Sequence, residues 1–386
     1  MNLQKNILEV DKLKTNFYTY EGVVKALDEI TFHLEKGDTL GIVGETGCGK
    51  SVTVLSILRL IMPPGKIESG RVTYLLNGTP VDLLDESEDF MRGIRGNEIS
   101  MIFQEASNAL NPVLNIGDQV SESFLLHRQK ELCESVLSNL QDKYKSSKFL
   151  KPFYRTQLAK YRSKYSKAKK NRLNDRHYGR LIIKEAKKRS IELLKDLGIP
   201  NASNVINLYP HELSGGMQQR IVISMALACN PNILIADEPT SNLDVTIQAQ
   251  ILELIEKLKK TYDSSILFIT HDLGVVAEVA NKVIVLYAGV IAEFGDVLEI
   301  FKNPLHPYTK ALLRSIPKPG LRERLDSIRG NVPNLVNPPT GCRFHPRCDY
   351  SMDICKKNKP GMYSVKPVYG KTHLVSCFLY KDANKP

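Results

Sequence analysis

Apolar and polar positions alternate along the first stretch of the chain. Glu21-Gly22 separates two β-like runs, and Leu27, Ile30, Phe32 and Leu34 mark the apolar face of the second. Residues 1–36 therefore read as strands and turns. Thr39–Val43 is a short apolar strand leading into a Gly-rich turn. An apolar helix over residues 50–61 follows, stopped by Pro63-Pro64-Gly65. Residues 98–103 form another strand, and residues 121–197 are helical and heavily charged. Residues 232–236 and 265–270 are apolar runs of the kind buried on both faces of a sheet, with a helix over 245–261 between them. Strands alternating with helices predict an α/β core. Residues 282–294 predict a hairpin turning at Ala288-Gly289. After Pro304 the chain is rich in Pro and turn residues, so a small C-terminal module is expected from about residue 303. No internal repeat of roughly 20–50 residues is visible.

Composition narrows the class. A chain of 386 residues allows about two or three domains. With 42% apolar and 25% charged residues it is a foldable globular chain. No apolar run approaches the ~20 residues of a membrane span, and the N-terminus lacks the apolar stretch of a secretory signal. A cytosolic chain, or one held at a membrane through other proteins, is expected. The net charge of +11 is uneven: residues 141–190 hold 18 Lys and Arg against Asp142, Asp175 and Glu185. The rest of the chain is therefore slightly acidic, and the basic character belongs to one segment. Cys48, Cys133 and Cys229 are scattered, whereas Cys342, Cys348, Cys355 and Cys377 cluster. Such a cluster in a cytosolic chain reads as metal binding before disulfides.

Gly44-Glu45-Thr46-Gly47-Cys48-Gly49-Lys50-Ser51 fits G-x-x-x-x-G-K-[ST], with a strand before it and a helix after it. Such a loop turns its N–H groups toward phosphate oxygens, aided by the helix dipole, and residues 44–52, including Val52, would contact the nucleotide. Lys50 would reach the β- and γ-phosphates of ATP, and Ser51 would hold Mg²⁺. The run at 232–236 ends in Asp237-Glu238. Asp237 is expected to bind Mg²⁺ and Glu238 to act as general base toward water, although a strand-end acid can also merely cap a turn. Ser214-Gly215-Gly216-Met217 before an apolar helix makes a second anion-binding end.

The string Leu213–Met217 between that loop and Asp237-Glu238 resembles the signature of ATP-binding cassette (ABC) proteins. The resemblance implies a P-loop NTPase cassette: a RecA-like core, an antiparallel β subdomain and a helical subdomain over residues 1–302. It also implies head-to-tail pairing, with the signature of one cassette closing over ATP on its partner. Gln104 looks like the glutamine that contacts Mg²⁺ and water. Ser241-Asn242-Leu243-Asp244 resembles the D-loop of the family, with Asn242 where Ala is commoner. His271 looks like the histidine that contacts the γ-phosphate, and Phe17 occupies the place of the aromatic that stacks on adenine, with Tyr18 and Tyr20 as competitors.

Residues 303–310 and 338–348 resemble the C-terminal region of the ATPase subunits of oligopeptide and dipeptide permeases, shared by nickel and some other small-solute importers. Four thiolates spaced C-x5-C-x6-C-x21-C suit an iron–sulfur cluster or zinc. The resemblance tips the choice to a structural [4Fe-4S] cluster in a module over 303–386. The basic segment, about 131–185, departs from the family by its length. Tyr154, Leu158, Tyr161 and Tyr165 recur at helical spacing, so a helical hairpin or extension is expected there. Its plain reading is a solvated insertion; anionic lipid, an acidic partner or RNA are further readings.

The expectation from the whole is an ATPase subunit energising an importer for oligopeptides or dipeptides, at the cytoplasmic face of the membrane. Its partners would be two permease subunits, a second related ATPase forming a heterodimer, and, indirectly, an extracellular binding protein. An importer of nickel or another small solute differs only in substrate. A soluble ABC ATPase acting on nucleic acid or ribosomes is the rival of another class, and the permease-like C-terminal region speaks against it.

Overall fold

The chain's short buried strands need partners on both edges, and the architecture supplies them. The computed structural model describes residues 5–104, 106–147, 149–168, 179–241, 243–315 and 328–382. Glu105, Asn242 and residues 169–178 of the basic segment lie outside these. The described chain divides into two units, one comprising residues 1–91, 235–238 and 258–386, the other residues 92–234 and 239–257.

In chain order the first unit opens with β1 (Asn6–Thr19), β2 (Gly22–Glu35), β3 (Thr39–Val43), α1 (Lys50–Ile57), β4 (Gly65–Leu76) and β5 (Thr79–Asp82). α2 (Glu88–Ile94) carries the chain into the second unit. There follow β6 (Ile99–Ile102), α3 (Ala106–Ala109), α4 (Ile116–His127), α5 (Gln129–Ser146), α6 (Lys151–Ala168), α7 (Arg180–Asp196), α8 (Ala202–Val205) and α9 (Gly215–Leu227). β7 (Ile233–Asp237) and α10 (Val245–Tyr262) divide between the units. β8 (Ser265–Ile269), α11 (Leu273–Val279), β9 (Lys282–Tyr287), β10 (Val290–Asp296), α12 (Val297–Lys302), α13 (Pro307–Arg314), α14 (Asp353–Lys357), β11 (Tyr363–Ser364) and β12 (His373–Val375) complete the first.

Two sheets build the first unit. One is antiparallel, in the order β2-β1-β4-β5. The other includes the run β11-β12-β10-β9-β3-β8-β7. Its centre is parallel, with β3 between β8 and β9, and every residue of β3 and β8 is buried. The hairpin β9–β10 turns at Ala288 (φ 47°) and Gly289 (φ 80°), two left-handed residues in a row, as the sequence led one to expect. The helix after the Gly-rich turn ends at Ile57 rather than residue 61. Arg59 adopts φ 53°, and its guanidinium donates to the carbonyls of Leu83 and Glu86, which holds the chain off the helical path.

The described part of residues 303–382 belongs to this same unit. β12 adds to the sheet edge, pairing Glu293 with Val375 and Gly295 with His373. Beneath that edge lies a fully buried polar knot. Glu293 accepts hydrogen bonds from the backbone N–H groups of Leu305 (2.8 Å) and His306 (2.9 Å) and pairs with His373 Nε2 at 2.7 Å. His373 Nδ1 stands 3.2 Å from Glu299, close enough for an ion pair but not aligned as a hydrogen bond. A buried carboxylate without such partners would be strongly unfavourable, so the knot pins the late chain to β10. Arg343 adds a second anchor, pairing with Asp28 of β2 at 3.0 Å. Burial alone would raise the Asp28 carboxyl, but Lys359, Arg343 and Lys14 hold it below the usual carboxylate range.

The second unit is helical apart from its edge of strand. α4 starts at Asn115, whose side chain accepts from the Asp118 N–H at 2.8 Å. It packs against α7, where the Ser121 and Ser190 hydroxyls meet at 3.1 Å. α5 and α6 form the expected hairpin. At the start of β7 the Ile233 N–H donates to the Glu98 carbonyl at 3.0 Å.

Candidate functional site

The site begins where buried β3 must turn directly into α1. Gly44 makes that turn at φ 155°, and a Cβ there would stand 2.1 Å from the Leu286 carbonyl. Gly49 is left-handed at φ 106° and packs against Ala26. These two positions exclude any larger residue, which leaves the loop's backbone tightly curled. Lys50, 6% exposed, donates from Nζ to the carbonyls of Gly44 (2.8 Å) and Glu45 (3.2 Å), so its ammonium lies at the mouth of the loop. Thr46 and Gly47 form the exposed crest, while Cys48 is fully buried and burial pushes its thiol up to about 11. Ser51 and Val52 are half-buried on the first turn of α1.

The loop is held from the far end of the chain. The Glu45 N–H donates to the Tyr308 hydroxyl at 3.0 Å, and the Glu45 carboxylate is gripped by Arg347. Arg347 also donates to the Tyr287 hydroxyl at 3.3 Å and lies over the Tyr287 and Phe344 rings. The Gly289 N–H of the hairpin turn donates to the Cys48 carbonyl at 2.8 Å.

Asp237 ends β7, buried at 4% exposure. Its Oδ1 has no hydrogen-bond partner. Burial raises its carboxyl and the Glu238 charge adds to this, while a hydrogen bond from Ser51 and the Lys50 charge act the other way. A buried carboxylate oxygen without a partner, beside a serine hydroxyl, offers the hard oxygen donors a divalent cation takes, while the Lys50 ammonium is no ligand and suits phosphate oxygens instead. Glu238 is left-handed at φ 46°, its N–H held by the Ile269 carbonyl at 2.9 Å. That geometry turns its side chain so that Oε1 lies 3.1 Å from His271 Nδ1. Phe17, half-buried on β1, packs over Gly65: a Cβ on that glycine would stand 2.6 Å from the ring. Tyr18 is instead engaged, donating its hydroxyl to Glu68 at 2.6 Å, and Tyr20 is almost fully exposed.

The first unit thus gathers Phe17, the loop, Asp237, Glu238 and His271. The remaining sequence-derived residues belong to the second. Ser214 caps α9 with extended backbone and makes no side-chain capping bond. Gly215 faces open space and Gly216 lies near Ile247, with the loop braced by Gln218 donating to the Pro210 carbonyl at 2.8 Å. Met217 lies in the first turn of α9. Asp244 accepts from the Ile247 N–H at 3.0 Å and so caps α10. Gln104 follows β6 and is exposed.

Cys342, Cys348, Cys355 and Cys377 line one small cavity of about 10 Å³, walled by Phe344 and Phe378. Burial pushes the Cys342 thiol up to about 11 and raises those of Cys348 and Cys377. Among the described residues no group of three or more His, Cys, Asp or Glu side chains is arranged to hold a metal ion. The four thiols as they stand therefore do not form a preassembled metal site, and the expected cluster finds no support in their arrangement.

Arg347 and Tyr308 were missed by motif reasoning. Both sit in strings that attracted notice for other reasons, one beside a cysteine and one after His306-Pro307. The only signal was Glu45 itself, an acid in a loop suited to anions, which calls for a cationic partner.

A curled loop between parallel strand and helix, with a strand-end Asp and Glu beside it, defines a P-loop nucleotide-binding cassette. Residues 27–241 match the family model for ABC transporters, and residues 292–355 match the oligopeptide/dipeptide transporter C-terminal region. Oligopeptide transport ATP-binding protein AppD of Bacillus subtilis is 42% identical over 378 residues, covering 97% of each chain. The same organism's oligopeptide transport ATP-binding protein OppD is 45% identical, covering 98% of this chain and 90% of its own. A dimeric ATP-binding cassette solved in a post-hydrolysis state with ADP and Pi shares the fold, with TM-score 0.53 and 23% identity over 75% of this chain and 98% of that one. The chain belongs to the ABC transporter family. Among the described residues no helix is long and apolar enough to cross a membrane.

Proposed function

We propose that this chain is the ATP-hydrolysing subunit that energises an importer for oligopeptides or dipeptides. It would work peripherally at the cytoplasmic face of the membrane, held by two permease subunits. The observation that carries the reading is one unit in which the phosphate loop, an unpaired Asp237 oxygen and the Glu238–His271 pair come together. The likeness to the Bacillus subtilis oligopeptide transport proteins supports the choice of substrate.

The N–H groups of residues 44–52 and the N-terminus of α1 bind the phosphates, and Lys50 swings from the loop carbonyls to the β- and γ-phosphates. Mg²⁺, when bound, neutralises charge developing between those phosphates; Ser51 and Asp237 are the groups that would hold it. Glu238 takes the proton of the attacking water. His271 orients Glu238 through Nδ1, which leaves its other ring nitrogen for the γ-phosphate. Phe17 stacks on adenine. For Gln104 the assignment rests on motif order alone. Ser214, Gly215, Gly216 and Met217, with Asp244 behind them, act on the nucleotide of a second cassette, a related but distinct ATPase. Binding of ATP favours the closed pair, hydrolysis reopens it, and the permeases follow, supplied by an extracellular binding protein. In this reading residues 1–302 are the cassette, and 303–386 are an appended module.

The four clustered thiols are proposed to hold a [4Fe-4S] cluster, with zinc as the alternative. What supports this is only that the four thiols line one cavity; at about 10 Å³ that cavity has to widen to admit the group. A cluster takes one thiolate per iron, so its ligands stand further apart than those converging on a single ion. Its part would be to cross-link the module.

The test is anaerobic purification with the permeases and binding protein into proteoliposomes. ATP hydrolysis should rise with added peptide, and the chain should carry iron with sulfide. Stimulation by nickel but not peptide would overturn the substrate, and zinc without iron would overturn the cluster.

A further inference from the structure

The α5–α6 hairpin of the second unit holds itself together with one set of apolar residues and displays another. Leu132, Cys133, Val136 and Leu140 of α5 are buried, as are Leu158 and Tyr161 of α6. The turn between the helices and the first residues of α6 do the reverse. Phe149 is 93% exposed, Leu150 55% and Phe153 56%. Three large apolar side chains thus stand in water within five residues. The Phe153 and Tyr154 rings meet edge to face at 5.4 Å.

Cations flank this tip in the chain on both sides. Lys143, Lys145, Lys151 and Arg155 are all exposed, and the Lys151 ammonium lies 5.9 Å from the Tyr144 ring centre. Asp142 is the only acid between residues 141 and 174. A merely solvated insertion has no use for exposed Phe-Leu, which costs free energy and invites aggregation. An acidic protein surface would satisfy the lysines but not a convex apolar point. Single-stranded RNA would stack on aromatic faces but gains nothing from Leu150. Anionic lipid answers both features, because headgroups pair with the cations while the boundary of the acyl region takes the apolar side chains.

We propose that the α5–α6 turn docks on an anionic lipid surface, with Phe149, Leu150 and Phe153 entering the interface and Lys143, Lys145, Lys151 and Arg155 pairing with headgroups. This stands apart from the nucleotide site, so it survives or fails independently of the transport reading.

The chain contains no tryptophan, so Phe149→Trp creates a single fluorescent reporter. With the full-length protein, vesicles of phosphatidylcholine with about one-third phosphatidylglycerol should shift its emission to the blue, and pure phosphatidylcholine should not. In co-sedimentation with the same anionic vesicles, Phe149→Ser/Phe153→Ser should weaken binding about tenfold, and Lys145→Glu/Lys151→Glu should do so by at least about tenfold. The serine variant's loss should persist at high salt, which separates insertion from simple charge attraction. ATP turnover and melting temperature should stay at wild-type values in both variants, since these side chains are exposed and outside the nucleotide site. Absence of a blue shift with anionic vesicles, or wild-type sedimentation of the serine variant, would overturn the proposal. So would preferential binding of single-stranded RNA over the vesicles.

Discussion

Glu45 and Arg347 meet in a two-pronged ion pair, 2.7 Å and 3.1 Å long, between residues 302 positions apart. Arg347 is 5% exposed at its side chain and Glu45 24%. The phosphate loop is therefore tied to the segment that also carries the clustered cysteines. Parallel N–H···O bonds fix orientation as well as distance, so the loop's second residue has little freedom.

Arg347→Met should release that residue. We expect the KM for ATP to rise several-fold and stability to fall by about 3 kcal/mol, because a largely buried carboxylate loses its partner. Arg347→Lys should recover part of the stability but little of the nucleotide affinity, since lysine cannot form the fork. Calorimetric melting and steady-state ATPase kinetics would measure both. An unchanged KM in Arg347→Met would show that the pair braces the module and not the loop.

Glu238→Gln should bind ATP normally yet hydrolyse it about a hundredfold or more slowly. The glutamine keeps the contact with His271 but cannot accept the water's proton. Single-turnover hydrolysis alongside equilibrium nucleotide binding separates the two effects. Wild-type turnover would remove Glu238 from the role of base.

Asp237→Asn tests a trade between stability and function. Folding raises the Asp237 carboxyl above its unfolded value through burial, so the folded chain binds the extra proton. Stability from this group therefore falls as pH rises past the unfolded value, and the charged carboxylate is a burden at neutral pH. Without metal, the asparagine variant should be more stable at pH 7 by about 1 kcal/mol and melt at a higher temperature. It should also lose Mg²⁺-dependent hydrolysis. A lower melting temperature would contradict this account.

His306 supplies a pH dependence of the opposite kind. Its ring is buried and accepts from the Tyr308 N–H at 3.0 Å, capping α13. Burial lowers its imidazole to about 4; Glu293 opposes this and Lys310 adds to it. Between pH 6.5 and about 4 the unfolded chain binds a proton the folded one refuses. Stability should therefore be full above pH 6.5 and fall on acidification, by on the order of 3 kcal/mol at the lower end. His306→Asn retains a capping acceptor and should flatten that part of the curve. Urea melts at several pH values would show it, and an unaltered slope would assign the acid loss to other groups.

Much of the fold was legible because burial on both faces leaves an unmistakable run. Residues 39–43, 232–236 and 265–270 read as strands for that reason, and Ala288-Gly289 read as a hairpin turn because few pairs tolerate two left-handed residues. The end of α1 was not legible. Residues 58–61 are apolar enough to continue a helix, and it takes the carbonyls of Leu83 and Glu86, drawing Arg59 aside from a distance in sequence, to favour the break.

The linear chain determined the local chemistry: a glycine-spaced loop before Lys50 and Ser51, and acids at a strand end. Those depend on neighbours within a few residues, where backbone geometry and side-chain type suffice. Tertiary structure alone decided which distant groups complete them. Asp28 with Arg343, Glu293 with His373, and Glu45 with Arg347 each join positions far apart, and no local periodicity encodes such pairings. They exist because burying a charged or polar group is tolerable only where the fold delivers a partner for it, and that delivery is a property of the packed chain as a whole.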